Sequence, residues 1–297
     1  IESLDWVVIS QQSLKSALGP LVRVVAPALS LSFFLWLWVL WTLRLQQIKR
    51  VVAPVGRLAE TAQRIAAGNL DEQARLEEGK EIGELAASFN HMTQQLRNHI
   101  NAENMIADIS RRLMGTDSDS LDDEINRSLS EIGRFVSADR SYLFLISTDG
   151  RTVSNTHEWC DDGIEPFVET LQNLPTENYP WLIKNAAQGN DIVIPNVAAF
   201  EQASAGEKAD WIKQGIQSLI CAPILTRGSL KGWVGFDAVR QQKDWSGEGA
   251  KLLHLAGEIF YIAMQRKWSQ TALKASEARY RQLVQHAPAG IYEFDLQ

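Results

Sequence analysis

Apolar residues recur in four different ways along this chain. The first pattern is unbroken: from Val24 to Leu43, "VVAPALSLSFFLWLWVLWTL", no residue carries a charge. At ~1.5 Å per residue that run makes a helix of about 30 Å, the thickness of a bilayer's hydrocarbon core. Pro27 is expected near the start of the span, where its missing N–H costs least, and Trp36, Trp38 and Trp41 crowd toward the far end as interfacial aromatics do. The second pattern is sparse. Apolar or small residues fall at Ile48, Val51, Val55, Leu58, Ala62 and Ile65, and again at Ile82, Leu85, Phe89, Met92 and Leu96, with His99 extending the register. Steps of three and four make a narrow seam on each of two helices otherwise too polar to bury themselves. "AGNLD" ends the first helix, with Gly68 as its cap. Two such helices, joined by two from a second copy, would close a parallel four-helix bundle.

From about residue 104 the pattern changes again. "LDDEINRSLSEIGRFVSA" is amphipathic, with Leu121, Ile125, Leu129, Ile132 and Phe135 on one face. "RSYLFLIS" and "VSNTHEWC" follow as strands across "TDGRT", whose Asp-Gly suits a tight hairpin. "DIVIPNV", "IQSLICAPIL" and "GWVGFDAV" come later, the last two joined across "TRGSLKG". Helix, antiparallel strands with helical insertions and a closing helix give an α+β domain. "YLFLI" and "LICAPIL" are apolar at nearly every position, so one sheet face should be covered by helices and the other by pocket loops. The fourth pattern is a long helical register: Leu252, Leu255, Ile259, Ile262, Arg266, Ser269, Leu273, Ser276, Tyr280, Leu283 and Ala287. Neither Gly nor Pro interrupts it between Gly257 and Pro288. It reads as one signalling helix with a dimeric seam, the alternative being two helices with a bend.

Composition and charge narrow the function. The chain has 297 residues, enough for two or three domains. Its net charge of −7 and pI near 5.4 argue against a nucleic-acid partner, which would need a clustered basic face. Arg44, Lys49, Arg50, Arg57 and Arg64 follow the apolar run, whereas Lys15 and Arg23 precede it. The positive-inside rule then places the N-terminus outside an inner (cell) membrane and everything after about residue 44 in the cytoplasm. Cys160 and Cys221 would be free thiols there. Ile1 and the strand-like "GIYEFDLQ" read as the ends of a piece of a longer protein.

Pro54, "GNL" after the first seam helix and "EIGELAASFNHM" opening the second resemble a HAMP domain, the relay just inside the membrane in bacterial receptors. Lys80 ahead of Glu81 departs from the usual Asp-Glu-Ile-Gly. Glu72 stands where the connector's apolar anchor often sits, with Ala74 or Leu76 as replacements. The resemblance implies a homodimer in which Pro54, Leu58, Glu81, Ile82, Leu85, Phe89 and Met92 carry packing and relay. "LDWVVIS" resembles the last strand of an extracytoplasmic Cache-type sensor, and "SEARYRQLVQHAPAGIYEFD" the entry into a PAS domain.

"HEWCDDGIEP", "GIQSLICAPIL", "LKGWVGFD" and "DWSGEGAKLLHLAGEIF" resemble a GAF domain. That family binds cyclic nucleotides, bilins, haem and small metabolites, or nothing. Neither cysteine here is followed by the His that accompanies a bilin anchor, and the Asn-Lys-Phe-Asp-Glu pattern of cyclic-nucleotide binders is missing, so no cofactor is identifiable. The residues expected at a pocket are Tyr142, Phe144, His157, Trp159, Trp181 and Cys221, with Trp233 a further candidate. His157 beside Glu158 could be a haem ligand or acid–base group, or a structural strand histidine. Cys160 and Cys221 could form a redox pair, as in a GAF-fold methionine-sulfoxide reductase, although that class relies on more cysteines.

The expected organisation is therefore multidomain. Residues 1–20 end a Cache-like sensor, 21–44 cross the membrane, 45–98 form HAMP, 99–265 GAF and 266–284 a signalling helix, and 285–297 begin a truncated PAS domain. No catalytic signature lies within it, so the reaction belongs to residues beyond the fragment. The domain order implies a two-component sensor histidine kinase with a response regulator or output domain downstream. A diguanylate cyclase or phosphodiesterase uses the same front end, and a GAF-fold small-molecule enzyme is the reading of another class.

Overall fold

A computed structural model of the chain describes residues 14–48, 52–75, 80–245 and 248–285. It divides into two compact units, Ile1–Arg97 and Asn98–Gln297. "LDWVVIS", Val51, Leu76 and the PAS-like end from residue 286 lie outside the described residues.

In the first unit, helix α1 (Leu14–Gln47) contains the whole apolar run. Pro27 stands at the start of the apolar span as expected, but well inside the helix, which already begins at Leu14. There the ring removes one N–H from the ladder. Pro27–Gln47 has a mean hydropathy of 1.6 and is long and apolar enough to cross a bilayer. Helix α2 (Ala53–Ala66) opens with Pro54 in its first turn, where the lost N–H has no partner anyway. It ends as expected at Gly68, whose φ of 101° lets Gly68 and Asn69 donate to the Ile65 and Arg64 carbonyls in a Schellman motif. Of the two expected anchors, Ala74 is buried, and its N–H donates to Asn90 Oδ1 while its carbonyl accepts from Asn90 Nδ2, both at 2.8 Å. Glu72 instead accepts from Arg64. Asn90 lies on α3 (Lys80–Gly115), whose residues to Arg97 belong to this unit and the rest to the second.

The second unit is built on one antiparallel sheet in the order β3-β2-β1-β6-β5-β4. Its strands are β1 (Arg140–Ile146), β2 (Thr152–Cys160), β3 (Leu174–Pro175), β4 (Ile192–Ile194), β5 (Ser218–Thr226) and β6 (Ser229–Ala238). The β5–β6 hairpin turns on Arg227 and Gly228 alone, both with positive φ, as a two-residue turn requires. "SLKG" thus belongs to β6 and not to the turn.

One face of the sheet carries α4 (Leu121–Phe135), the end of α3 and α7 (Glu248–Gln285). Asp122, Asp123 and Glu124 occupy the first turn of α4, where its dipole favours them. Leu121, Ile125, Leu129 and Ile132 are fully buried against Leu143, Phe236 and Phe260. Phe135, expected on that face, is exposed; it ends the helix at the edge of the buried arc. The other face carries α5 (Pro180–Ala187) and α6 (Ala205–Lys213), short helices as well as loops. A capping box fixes the start of α6, with Ser204 and Glu207 satisfying each other's backbone N–H.

Helix α7 is a single helix, without the alternative bend. Leu252, Leu253, Ala256, Phe260 and Met264 are buried in the domain, while Leu255, Ile262, Leu273, Tyr280 and Leu283 are exposed. The expected seam therefore splits: Leu252 is core and most of the rest faces outward. Arg266 binds the end of α3, donating to the carbonyls of Leu113 at 2.7 Å, Met114 at 2.6 Å and Thr116 at 3.0 Å.

Candidate functional site

Alternation along β1 sends Leu143 and Leu145 to the helix-backed face and Tyr142 and Phe144 to the other. On β5 and β6 the same alternation brings Cys221, Trp233 and Asp237 beside them. These five line a cavity of about 40 Å³, roofed by Tyr179, Leu182 and Trp211. Its walls interlock: the Phe144 and Trp233 rings stack at 5.2 Å, and Tyr142 meets Phe144 edge-on at 5.4 Å. Gly235 makes room for Tyr142, since a Cβ there would stand 2.6 Å from the ring.

Beneath the rings lies a buried polar cluster. Asp237 accepts from Tyr142 OH at 3.0 Å and from Arg140 Nη1 at 3.2 Å. Arg140 also donates to the Glu165 carbonyl at 3.0 Å and lies 4.9 Å over the Phe167 ring. Among the described residues its Nε has no hydrogen-bond partner, and it stands 3.8 Å from Glu158. Glu158 holds the 161–173 loop, accepting from the N–H groups of Phe167 at 2.6 Å and Val168 at 2.9 Å. Burial pushes the Asp237 carboxyl up to about 7, despite the opposing pull of Arg140 and Tyr142. Burial likewise lifts the Cys221 thiol to about 12, leaving it protonated and inert as a nucleophile.

Of the residues expected at a pocket, Tyr142, Phe144 and Cys221 meet at the cavity, and Trp233 joins them. Trp181 lies behind it, edge-on to Phe200 at 4.9 Å and Trp211 at 6.4 Å. His157 and Trp159 are on the opposite face. They pair across from Leu143 and Ser141, so the pleat turns them toward α4. His157 Nε2 is 3.3 Å from Asp122, which also accepts from Lys267 at 2.6 Å. Burial lowers the His157 pKa, with Asp122 opposing. Trp159 packs where Gly133 leaves space, with Arg134 5.5 Å above its ring. Cys160 ends β2 and Cys221 lies in β5, with β1 and β6 between them. Three strand spacings, about 14 Å, are too far for a disulfide. Sequence reasoning missed Arg140, Glu158, Tyr179, Trp211 and Asp237. The signal for two of them was there: a lone cation opening "RSYLFLI" and a lone carboxylate inside "GWVGFDAV".

In the first unit, Pro54, Leu58 and Ile82 line a groove of about 340 Å³ with Ala74 and Ala86. Phe89 is half-buried, whereas Glu81, Leu85 and Met92 are exposed.

The chain matches the HAMP domain family over residues 47–98 and the GAF domain family over residues 120–264. The methanogenesis regulatory histidine kinase FilI of Methanothrix harundinacea (strain 6Ac) is 32% identical over 137 residues, 44% of this chain and 15% of that protein. This chain thus corresponds to a small part of that relative's length. Among solved structures, the phycoerythrobilin-bound GAF domain of a cyanobacterial phytochrome is 16% identical, covering 57% of this chain and 97% of that one at a TM-score of 0.48. The chromophore-binding domain of the R. palustris bacteriophytochrome RpBphP3 is 15% identical, covering 61% and 64% at a TM-score of 0.46.

Proposed function

We infer that this chain, with its HAMP domain at 47–98 and GAF domain at 120–264, is the input and relay part of a membrane-bound sensor histidine kinase. The observation that carries the reading is the order of parts: an apolar helix over Pro27–Gln47, then HAMP, then GAF, with a histidine kinase among the relatives. In this reading α1 spans the inner membrane with its N-terminus outside, and the rest is cytoplasmic. A stimulus outside biases the packing of α2 and α3 against their copies in a homodimer. Such a bundle works as a relay when two packings differ by only a few kcal/mol. The GAF cavity adds a cytoplasmic input, α7 carries the result onward, and a response regulator receives it.

Exposed Leu85, Met92, Leu96 and Val55 support the dimer, for these are seam positions with nothing yet covering them. Cysteine placed at Leu85 or Phe89 should crosslink two chains in membranes. Recovery of monomers alone from both positions sinks the bundle. Leu85→Asp, which would bury an unpaired charge in the seam, should abolish crosslinking from position 89.

A further inference from the structure

The GAF cavity has a chemical bias in its walls. Five aromatic rings surround it: Tyr142, Phe144, Tyr179, Trp211 and Trp233. One ionisable carboxyl, Asp237, lines it with them, and no Lys or Arg does. Ring faces carry negative partial charge, so such a wall attracts cations, most strongly where water is excluded. Trp211 and Trp233 are 5% and 4% exposed, so this wall is buried.

The surrounding charges point the same way. Arg140 faces two carboxylates, Asp237 and Glu158, and all three side chains are at most 2% exposed. With both acids ionised, one positive charge stands against two negative, and among the described residues no second cation pairs with them. That arrangement is costly unless a proton or another cation supplies the balance. Tyr142 and the protonated Cys221 add hydrogen bonding on the floor but no charge. The roof adds none of the missing sign: Glu207 binds the Leu182 and Ser204 N–H groups, and Asp210 accepts from Tyr179. Lys184, Lys208 and Lys213, the lysines of α5 and α6, do not line the cavity. Its volume of about 40 Å³ holds roughly three waters, or one compact group of similar size.

We propose that this cavity takes a small organic cation of the methylated-ammonium class, seated among the five rings with the Asp237 carboxylate as counter-ion. The assignment rests on the reading of the cavity as an input site and names what enters it. The cation competes with the proton for Asp237, so its binding strengthens as pH rises through the range in which that carboxyl ionises.

Calorimetric titration of the full chain in lipid nanodiscs tests this with three probes of equal heavy-atom count: tetramethylammonium, tert-butanol and propionate. At pH 8, tetramethylammonium should bind roughly tenfold tighter than tert-butanol, and propionate should not bind. Between pH 8 and pH 6 the tetramethylammonium affinity should fall while that of tert-butanol stays level. Asp237→Asn should erase the preference for the cation and keep tert-butanol binding. If that variant does not fold, the pH series on the unaltered chain decides alone. Should tert-butanol or propionate equal or exceed tetramethylammonium at pH 8, the cation class is overturned while the cavity remains an input site. If no probe binds, the cation assignment and the input reading both fall.

Discussion

The two faces of the GAF sheet are built on opposite principles. Toward α4 and α7 the packing is apolar and closed: Leu121, Ile125, Leu129, Leu143, Leu253 and Phe260 are sealed completely. Toward α5 and α6 the same strands present aromatic rings, a cavity and the buried cluster of Arg140, Glu158 and Asp237. Strand alternation separates the two within single residues, since Leu143 belongs to one and Tyr142 to the other. Dispersion and apolar burial hold the first face, and they tolerate no gaps. The second face gives up part of that stability to charges in low dielectric, which is where binding specificity is built. A sealed core and a cavity thus share a sheet without sharing side chains.

That contrast can be broken from either side. The largest effect is expected on the closed face, where Phe260→Ala should lower unfolding stability by about 3–5 kcal/mol in a urea titration, the range for large-to-small changes at sealed sites. On the cavity face, Gly235→Ala should cost about 1–3 kcal/mol by driving a methyl into the Tyr142 ring. It should also displace the Tyr142 hydroxyl from Asp237, visible as altered tyrosine absorbance. If Gly235→Ala proves neutral, the close fit of that face is refuted. The smallest effect is expected at the rim of the closed face. Asp122→Asn frees His157 and Lys267 at a cost of about 0.5–1 kcal/mol at neutral pH, because Asp122 is half exposed. His157 is held below its ordinary pKa by burial, so its contribution is present above about pH 6.5 and is lost as pH falls below. Without Asp122 to oppose burial, the loss on acidification should grow, as thermal unfolding at pH 7 and pH 5 would register.

The closed face was legible because aliphatic periodicity is a direct record of what is buried. Leu121, Ile125, Leu129 and Ile132 announce their face at steps of three and four, and only Phe135 at the helix end escapes it. The Gly68 cap was legible too, since positive φ favours glycine; the hairpins were placed, but their turns were not, because Arg227 takes a positive φ that its residue type does not announce. The cavity was legible in part. Tyr142, Phe144 and Cys221 were found, but His157 and Trp159 were assigned to it although strand parity, counted across the bulge between Leu143 and Phe144, turns them away. Tyr179 and Trp211 come from α5, α6 and their approaches, whose packing on the sheet leaves no periodic trace. The pairing within the polar cluster was hidden for another reason: a charge in a strand states that it is buried with partners, not which partners they are.

Arg266 has a mechanical meaning. Its guanidinium grips three carbonyls at the end of α3, and the helix that bears it runs on past the domain to Gln285. The end of α3 and the middle of α7 are therefore pinned to each other on one side of the sheet, like two rods through a single coupling. That pin lies on the helix-backed face, so it joins the two helices without touching the cavity on the other face.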